Sequence, residues 1–457
     1  MNSARAIAVI DIGKTNAKLL VWDTQTGNLL FETSRSNLSI DGSRYRHLDT
    51  DGLWDFYITA LRQAAFETKI GQIIVTTHGA TFAMLKGDEL ALPVVDYENT
   101  YNSAINRAYD AVRDAFADSQ SPNLPAGLNF GRQIFALEET FPEEIALTTD
   151  FLPYPQYWAW KLSGVKACEV TSLGCHSDLW HPHERTWSHL AKTRGWDQKF
   201  PPMRKAQDIL GMILPDIAQQ TGLPTDCNIH CGIHDSNATL VPLIRQLEPP
   251  FTLVSSGTWT ICFSVGVNSQ PALLEDRDTL CNVDLNGNAV PSARFMGGRE
   301  YAHLANGHHG IPEITAINRL IDQGCFAMPS FAEAGGPFVG KPGRVVREDA
   351  LTSLGDKAAL ATLYCALMMD YCLEMIESTG PIIVEGPFAA NDVLCQVLAT
   401  IRPQQTVLTT PDNSGTSFGA AMLSNGPFAE QQRQLDPVPT ISVPGLQSYR
   451  HKWRELI

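Results

Sequence analysis

Short apolar runs, turn residues and amphipathic stretches alternate along most of the chain. AIAVIDIG (6–13) is an apolar segment ending in glycine, followed by KLLVWD (18–23) and NLLFETSR (28–35), which are joined through Thr26-Gly27-Asn28. Runs of this kind bounded by turn signals predict strands, and such tight connections predict antiparallel pairing. LWDFYITALRQAAFE (53–67) carries its apolar residues at helical spacing, and QIIVTTHG (72–79) reads as another buried strand ending in glycine. The stretch around FLPYPQYWAWKLSG (151–164) reads as loop-rich, whereas IHCGIHDSNATLVPLI (229–244) reads as a strand running into a helix.

The opening theme then recurs. FTLVSSGTWTICFSVG (251–266) is a strand, a small polar turn and a second strand, comparable with VIDIGKTNAKLLVWD at the amino end. A long helix (356–379), a buried strand PIIVEGP (381–387), a helix ANDVLCQVLATI (390–401), a strand TVLTTP (406–411) and a helix SGTSFGAAMLS (414–424) complete the pattern. The polar, proline-ended RQLEPP (245–250) separates two α/β halves, which predicts domains at 1–245 and 251–457.

Composition narrows the class. With 457 residues, 44% hydrophobic and 18% charged, the chain reads as an ordinary globular protein of two large domains. Its formal net charge of −15 argues against a nucleic-acid partner, but not against a nucleotide, whose phosphates sit on backbone N–H groups and a cation. MNSARAIAVIDIG lacks the features of a signal peptide, and no apolar run is long enough to predict a membrane span. Ten cysteines in so long a chain, several in apolar segments (Cys262, Cys365, Cys372, Cys395), point to reduced thiols and a cytoplasmic location. Cys227, His230, Cys231 and His234 offer half of a zinc pattern; alternating residues of a buried strand explain the same spacing.

Two turns carry candidate chemistry. Gly13 permits close backbone approach to an anion, Thr15 and Asn16 bring side-chain donors, and Asp11 can hold a hydrated Mg²⁺. The Ser255-Ser256-Gly257-Thr258 turn repeats the small donors without the acid, and the pair suggests a clamp for a triphosphate. Neither G-x-G-x-x-G after a strand nor G-x-x-x-x-G-K-[ST] occurs, which excludes the Rossmann and Walker loops.

DIGKTNAKLLVWD, THGATFAML, PVVDYEN, WAWKLSG, GIHDSNATL, SSGTWT and VEGPFAANDVLCQVLA follow one another over nearly the whole chain. In that order they resemble the FGGY family of carbohydrate kinases, in the branch that contains rhamnulokinase and other ketose kinases. The resemblance implies an α/β fold of two actin-like (ribonuclease H-like) ATPase domains with an interdomain cleft. It also implies MgATP-dependent phosphorylation of a sugar hydroxyl, on a deoxyketohexose such as L-rhamnulose or L-fuculose, or on a ketopentose such as xylulose or ribulose. A polyol kinase of the same fold, and a non-catalytic actin-like nucleotide or sugar sensor, are the alternatives.

Residue roles follow from the same likeness. Asp235 in GIHDSN matches the catalytic base and would also contact the sugar; as an aspartate before a helix it equally suits an N-cap. Asp11 matches the residue near Mg²⁺. Lys14, Thr15 and Asn16 match the phosphate-lining turn together with Gly13, while Lys18 stands where many relatives carry arginine. Gly257, Thr258, Gly386 and Asn391 fall at the second domain's ATP contacts, although EGPFAAND departs from the expected glycine pair. His78, Gly79, Asp96, Glu98 and His176 are the sugar-contact candidates, and strand alternation would place Asp96 and Glu98 on one face. The implied partners are the sugar and ATP, without nucleic acid or membrane; a homodimer is compatible with the sequence.

Overall fold

The computed structural model describes residues 6–267, 269–308, 310–333, 335–411 and 415–457, arranged as two compact units. One comprises Met1–Gln246, Cys281–Ala289 and Ser414–Gln432; the other comprises Leu247–Leu280, Val290–Asn413 and Arg433–Ile457. The leading MNSAR, part of the signal-peptide reading, and Ser414 of the last predicted helix lie outside the described residues.

In the first unit the opening apolar run forms the strand Ala6–Ile12, paired antiparallel with Asn16–Trp22, which pairs antiparallel with Leu29–Ser36. On its other side lies the parallel strand Ile70–Thr77, reached through the helix Thr50–Glu67. Parallel neighbours require such a crossover. The sheet continues through parallel Asn228–His230 to antiparallel Ile209–Met212. Covered on both faces, the central strands read as continuous apolar runs rather than as alternation: every residue of Ile70–Thr77 except Gln72 is buried.

The second unit repeats this plan. Phe251–Ser256 is flanked by antiparallel Thr260–Val265, then antiparallel Ala289–Phe295, and on its other side by parallel Ile382–Glu385 and Val407–Thr409. In both units the first strand pairs antiparallel with the second and parallel with a later strand, the expected actin-like arrangement. The crossover helix Leu354–Met375 starts at a capping box of Ser353 and Asp356. It is long and apolar enough to cross a membrane, but 83% of its most apolar window is buried inside the protein. All ten cysteines are buried and free of disulfides.

The stretch read as loop-rich is corrected. FLPYPQYWAWKLSG is the strand Asp150–Pro153 followed by the helix Tyr154–Ser163, which ends at Gly164 with φ +75°. Proline is tolerated in a first helical turn, where its missing N–H has no intrahelical partner to lose, so Pro155 starts this helix rather than breaking it.

One glycine fixes the second unit's central turn. Gly386 leaves the strand Ile382–Glu385 at φ +77°, and a Cβ there would collide with the Ser256 carbonyl oxygen. Ser256 Oγ donates to the Glu385 carbonyl and accepts the Phe388 N–H, locking the two strand ends together. Gly386→Ala is therefore expected to destabilise the protein by about 1–3 kcal/mol, read as a lower urea midpoint at unchanged slope.

Candidate active site

Three parallel strand segments of the first unit end side by side. Asp11 lies in register with Thr76 on one side of the strand Ile70–Thr77; Ile233 and His234 lie in register with Thr76 and Thr77 on the other. Asp11, His78 and Asp235 therefore leave the sheet at its carboxyl end, where open α/β sheets present ligand-binding groups.

The single strand expected at the start of 229–244 is interrupted. Gly232 has φ +88°, and a Cβ there would lie 2.5 Å from the Val75 carbonyl oxygen. Asn228–His230 and Ile233–His234 consequently pair with different parts of the same neighbour, and Gln156 Nε2 bridges the break by donating to the Cys231 and Gly232 carbonyls, each at 3.1 Å. The chain then enters the short helix Asp235–Ala238, whose N-cap is His234. Asp235 is thus the first helical residue, and the N-cap role considered for it falls to its neighbour. Its side chain is 28% exposed. Oδ1 accepts the Ser236 N–H at 2.6 Å and the Ser236 hydroxyl at 3.2 Å, and faces His234 Nε2 at 3.2 Å.

Asp11 feels that charge. Burial and the nearby Asp235 carboxylate push its pKa up to about 7, with Lys18 opposing. Lys18 is its antiparallel register partner and lies 4.0 Å from Glu32. The turn beyond is closed by the Gly13 N–H on the Asn16 carbonyl at 2.9 Å and braced by Asn37, which donates from Nδ2 to the Gly13 carbonyl and from its backbone to Thr15. Thr15 and Asn16 are exposed, with Asn16 Nδ2 on Thr15 Oγ1 at 3.2 Å.

Lys14 bends away from this turn's tip. Its ammonium lies 2.5 Å from buried Asp96, 3.4 Å from Glu98 and 4.9 Å from the centre of the Tyr97 ring. Asp96 also accepts Ser39 Oγ and the Glu98 N–H, and Arg46 stands 3.3 Å away. Burial favours its acid form, yet Lys14, Ser39 and the Glu98 amide hold it below the ordinary carboxylate range. Asp96 and Glu98 do converge, but through a turn closed by the Asn99 N–H on the Asp96 carbonyl rather than through strand alternation.

His78 is buried between Tyr97 and Tyr154, with Nδ1 near the Gly79 carbonyl and Nε2 lacking a hydrogen-bond partner. Burial lowers its pKa. Gly79 makes room: a Cβ there would lie 2.5 Å from His234 Nε2. His176 adopts φ +34°, with Nδ1 on the Leu128 carbonyl at 2.8 Å and its own carbonyl accepting from Asn129 Nδ2.

In the second unit, the Gly257 N–H closes its turn on the Trp259 carbonyl at 2.8 Å, and Gly298 packs against Gly257 and Thr258 so closely that a Cβ would collide. Gly386 backs onto Ser256 of the same strand end. Asn391 caps the helix Asp392–Ile401, accepting the Leu394 N–H at 3.1 Å while Nδ2 reaches Tyr301 and Thr362. Its side chain is thereby committed to structure, which a polar residue between strand and helix in sequence does not reveal.

The cysteine–histidine cluster has other partners. His230 sets its two ring nitrogens on the Gln207 carbonyl and Gln72 Oε1, His234 lies between Asn237 and Asp235, and Cys227 and Cys231 are in the core. Among the described residues no group of three or more His, Cys, Asp or Glu could hold a metal ion. Sequence reasoning missed Glu169, which is fully buried with its pKa raised to about 7 by burial and Oε1 unpartnered. Nothing in the local pattern CEVTS marks it. His234 it noticed only as a metal candidate.

Two family models match, the N-terminal domain of the FGGY family of carbohydrate kinases over residues 6–242 and the carbohydrate kinase FGGY C-terminal domain over 248–434. The chain is 22% identical to a rhamnulokinase of Oceanobacillus iheyensis over 63% of its own length and 61% of the relative's. To a probable L-xylulose kinase of Pasteurella multocida it is 25% identical over 56% of its length and 55% of the relative's, so the alignments span less than two thirds of these curated relatives. A crystal structure of a carbohydrate kinase from Novosphingobium aromaticivorans superposes with a TM-score of 0.92 at 36% identity, covering 100% of this chain and 99% of that one.

Lys14→Met leaves Asp96 with Arg46 as its remaining nearby cation and is expected to cost about 1–3 kcal/mol in urea unfolding, with part of the loss recovered when Asp96→Asn is added. Asp11 gives a pH test. Between about pH 4, near its unpaired value of 3.8, and about pH 7, the folded chain keeps a proton that the unfolded chain has lost, so stability falls as pH rises through that window. In chelator-treated protein, Asp11→Asn is expected to flatten this part of the melting-temperature profile relative to the wild type.

Proposed function

The chain belongs to the FGGY family of carbohydrate kinases, and from that premise we infer that it transfers the γ-phosphoryl group of ATP to a hydroxyl of a ketose. The observation that carries the reading is the convergence of Asp11, His78 and a partly exposed Asp235 at one end of the first unit's sheet.

Phosphoryl transfer requires a positioned nucleophile, neutralised phosphate charge and an acceptor for the hydroxyl proton. Asp235 is the proposed acceptor: the sugar O–H breaks, its proton passes to the carboxylate, and the oxygen's electron pair forms the new bond to phosphorus. The electrons of the β–γ bridging bond leave with ADP. Thr15, Asn16 and the turn's backbone N–H groups are proposed to line the phosphates from the first unit, and Gly257 and Thr258 from the second. We assign sugar binding and the first phosphate turn to the first unit, which adds 281–289 and 414–432 to the expected 1–245, and nucleotide binding to the second unit, the rest of 251–457.

Asp11 fits a cation held by few protein ligands. Its carboxylate offers hard oxygen donors, its charge is repelled by Asp235, and no larger acidic cage exists among the described residues. Mg²⁺ typically takes one or two carboxylates and completes its shell with phosphate and water oxygens. Bound there with ATP, it would neutralise charge on the transferring group. Lys14 is reassigned to the sugar side, since its ammonium braces the Asp96–Glu98 turn. His78, with a buried and unpartnered Nε2, is the strongest candidate for contact with a sugar hydroxyl.

The similarity to a rhamnulokinase and a probable L-xylulose kinase supports a deoxyketohexose or ketopentose substrate. A cytoplasmic site of action accords with such chemistry. Asp235→Ala is expected to lower sugar phosphorylation by about 10²–10⁴-fold while ATP binding, followed by calorimetry, survives. Phosphorylation at the wild-type rate would refute the base assignment. Coupled ADP release across a panel of ketoses and polyols should single out a ketose; preference for glycerol or erythritol would move the chain to the polyol reading.

A further inference from the structure

His234 precedes the proposed base; its ring Nδ1 is hydrogen-bonded to Asn237 Oδ1, and its Nε2 lies 3.2 Å from Asp235 Oδ1. We propose that it is a positioning residue: a standing imidazolium that pins Oδ1 of Asp235 and leaves Oδ2 as the atom that receives the substrate proton. The proposal rests on the reading of Asp235 as base and goes beyond it by assigning the proton state of its neighbour and the reacting oxygen.

The protons can be counted from the contacts of the two ring nitrogens. Asn237 Nδ2 donates to the Val283 carbonyl, which fixes the orientation of that amide and turns its Oδ1 toward His234. An amide oxygen only accepts. His234 Nδ1, 2.5 Å from it, must therefore carry a hydrogen. Nε2 lies 3.2 Å from Asp235 Oδ1, which already accepts the Ser236 N–H at 2.6 Å and the Ser236 hydroxyl. A bare nitrogen would set its lone pair against those of the carboxylate oxygen at that distance, so Nε2 carries the second hydrogen. A ring with both nitrogens protonated is a cation.

The surroundings accommodate that charge. Buried Glu169, the N-cap of the short helix Val170–Leu173, keeps an unpartnered Oε1 and feels the charge of His234, and Thr171 links the two segments by accepting the backbone N–H of His234 while donating to Glu169 Oε2. Cys175 faces it from the loop beyond that helix, Asp235 from its own element, and His78 from the end of the central strand. Asp11 and Lys14 lie further out, acting on Asp235 and His78 respectively. Burial alone would favour the neutral ring, but Cys175, Asp235 and Asn237 outweigh it and push the pKa up to about 10. Gly79 completes the device, because any side chain there would occupy the place of Nε2.

With Oδ1 occupied by two Ser236 donors and faced by His234 Nε2, Oδ2 is the lone-pair site left for a substrate hydroxyl. The imidazolium also places a positive charge behind the acid, on the side away from the incoming alcohol, where it offsets the repulsion from Asp11.

The test is nitrogen NMR of the full chain labelled with ¹⁵N-histidine at pH 8, with the His234 resonances assigned by their loss in His234→Gln. Two protonated ring nitrogens are the expected result. One bare nitrogen, the signature of a neutral tautomer, overturns the proposal while leaving the base assignment standing. In Asp235→Asn the ring should titrate closer to the ordinary histidine value of about 6.5; an unchanged titration would show that Asp235 is not its partner and would likewise refute the pinning. Retained sugar phosphorylation by Asp235→Asn refutes the base reading, not the proton count. As a second variant, Gly79→Ala displaces the ring without changing a charge and is expected to lower kcat about 10²-fold with a smaller change in KM. A kcat equal to the wild type would contradict a positioning role.

Discussion

Asp11 and Asp235 repel each other from opposite flanks of one central strand, and much of the surrounding chain answers that repulsion. Two carboxylates brought close together raise the cost of ionising both unless their charge is compensated. Here the compensation is divided. Asp11 is partly offset by Lys18, across the antiparallel pair, and otherwise held near a pKa of about 7. Asp235 has Oδ1 occupied by Ser236 and His234. A site that holds one acid on the edge of ionisation and the other hydrogen-bonded is poised for a cation at the first and a proton at the second.

The backbone that enforces this geometry is built from a few positions with no freedom to change. Gly232 breaks its strand because it approaches the Val75 carbonyl at positive φ, and the break aims His234 and Asp235 out of the sheet. Gly79 is small because His234 lies against it. In the second unit Gly386 plays the corresponding part, pressing onto Ser256 so that the strand ends Phe251–Ser256 and Ile382–Glu385 stay joined at the turn proposed to meet nucleotide. In each case the glycine is explained by what its missing Cβ would strike, rather than by flexibility.

Much of the fold was legible in the sequence. Apolar runs in central strands, the helical spacing of 53–67 and the recurrence of a strand–turn–strand motif at 251–266 all appear as expected, and the actin-like topology follows from them. The helix Tyr154–Ser163 was hidden because proline and aromatic residues mask its period, although Pro155 sits where a helix tolerates it. Contacts distant in sequence were less accessible. That Lys14 would turn toward Asp96, 82 residues on, rather than toward its own turn depends on buried charge, which no local pattern records. The same holds for Glu169 beneath His234, and for the commitment of Asn391 to a helix cap.

The central claim is that an alcohol of a ketose meets Asp235 as it attacks the γ-phosphorus. A crystal structure with the preferred ketose and a non-hydrolysable ATP analogue tests it most directly. The account predicts the reacting hydroxyl at about 2.6–3.2 Å from Asp235 Oδ2, with the γ-phosphate in line on its far side. A sugar bound with its hydroxyls on Asp96 and none within reach of Asp235 would contradict it.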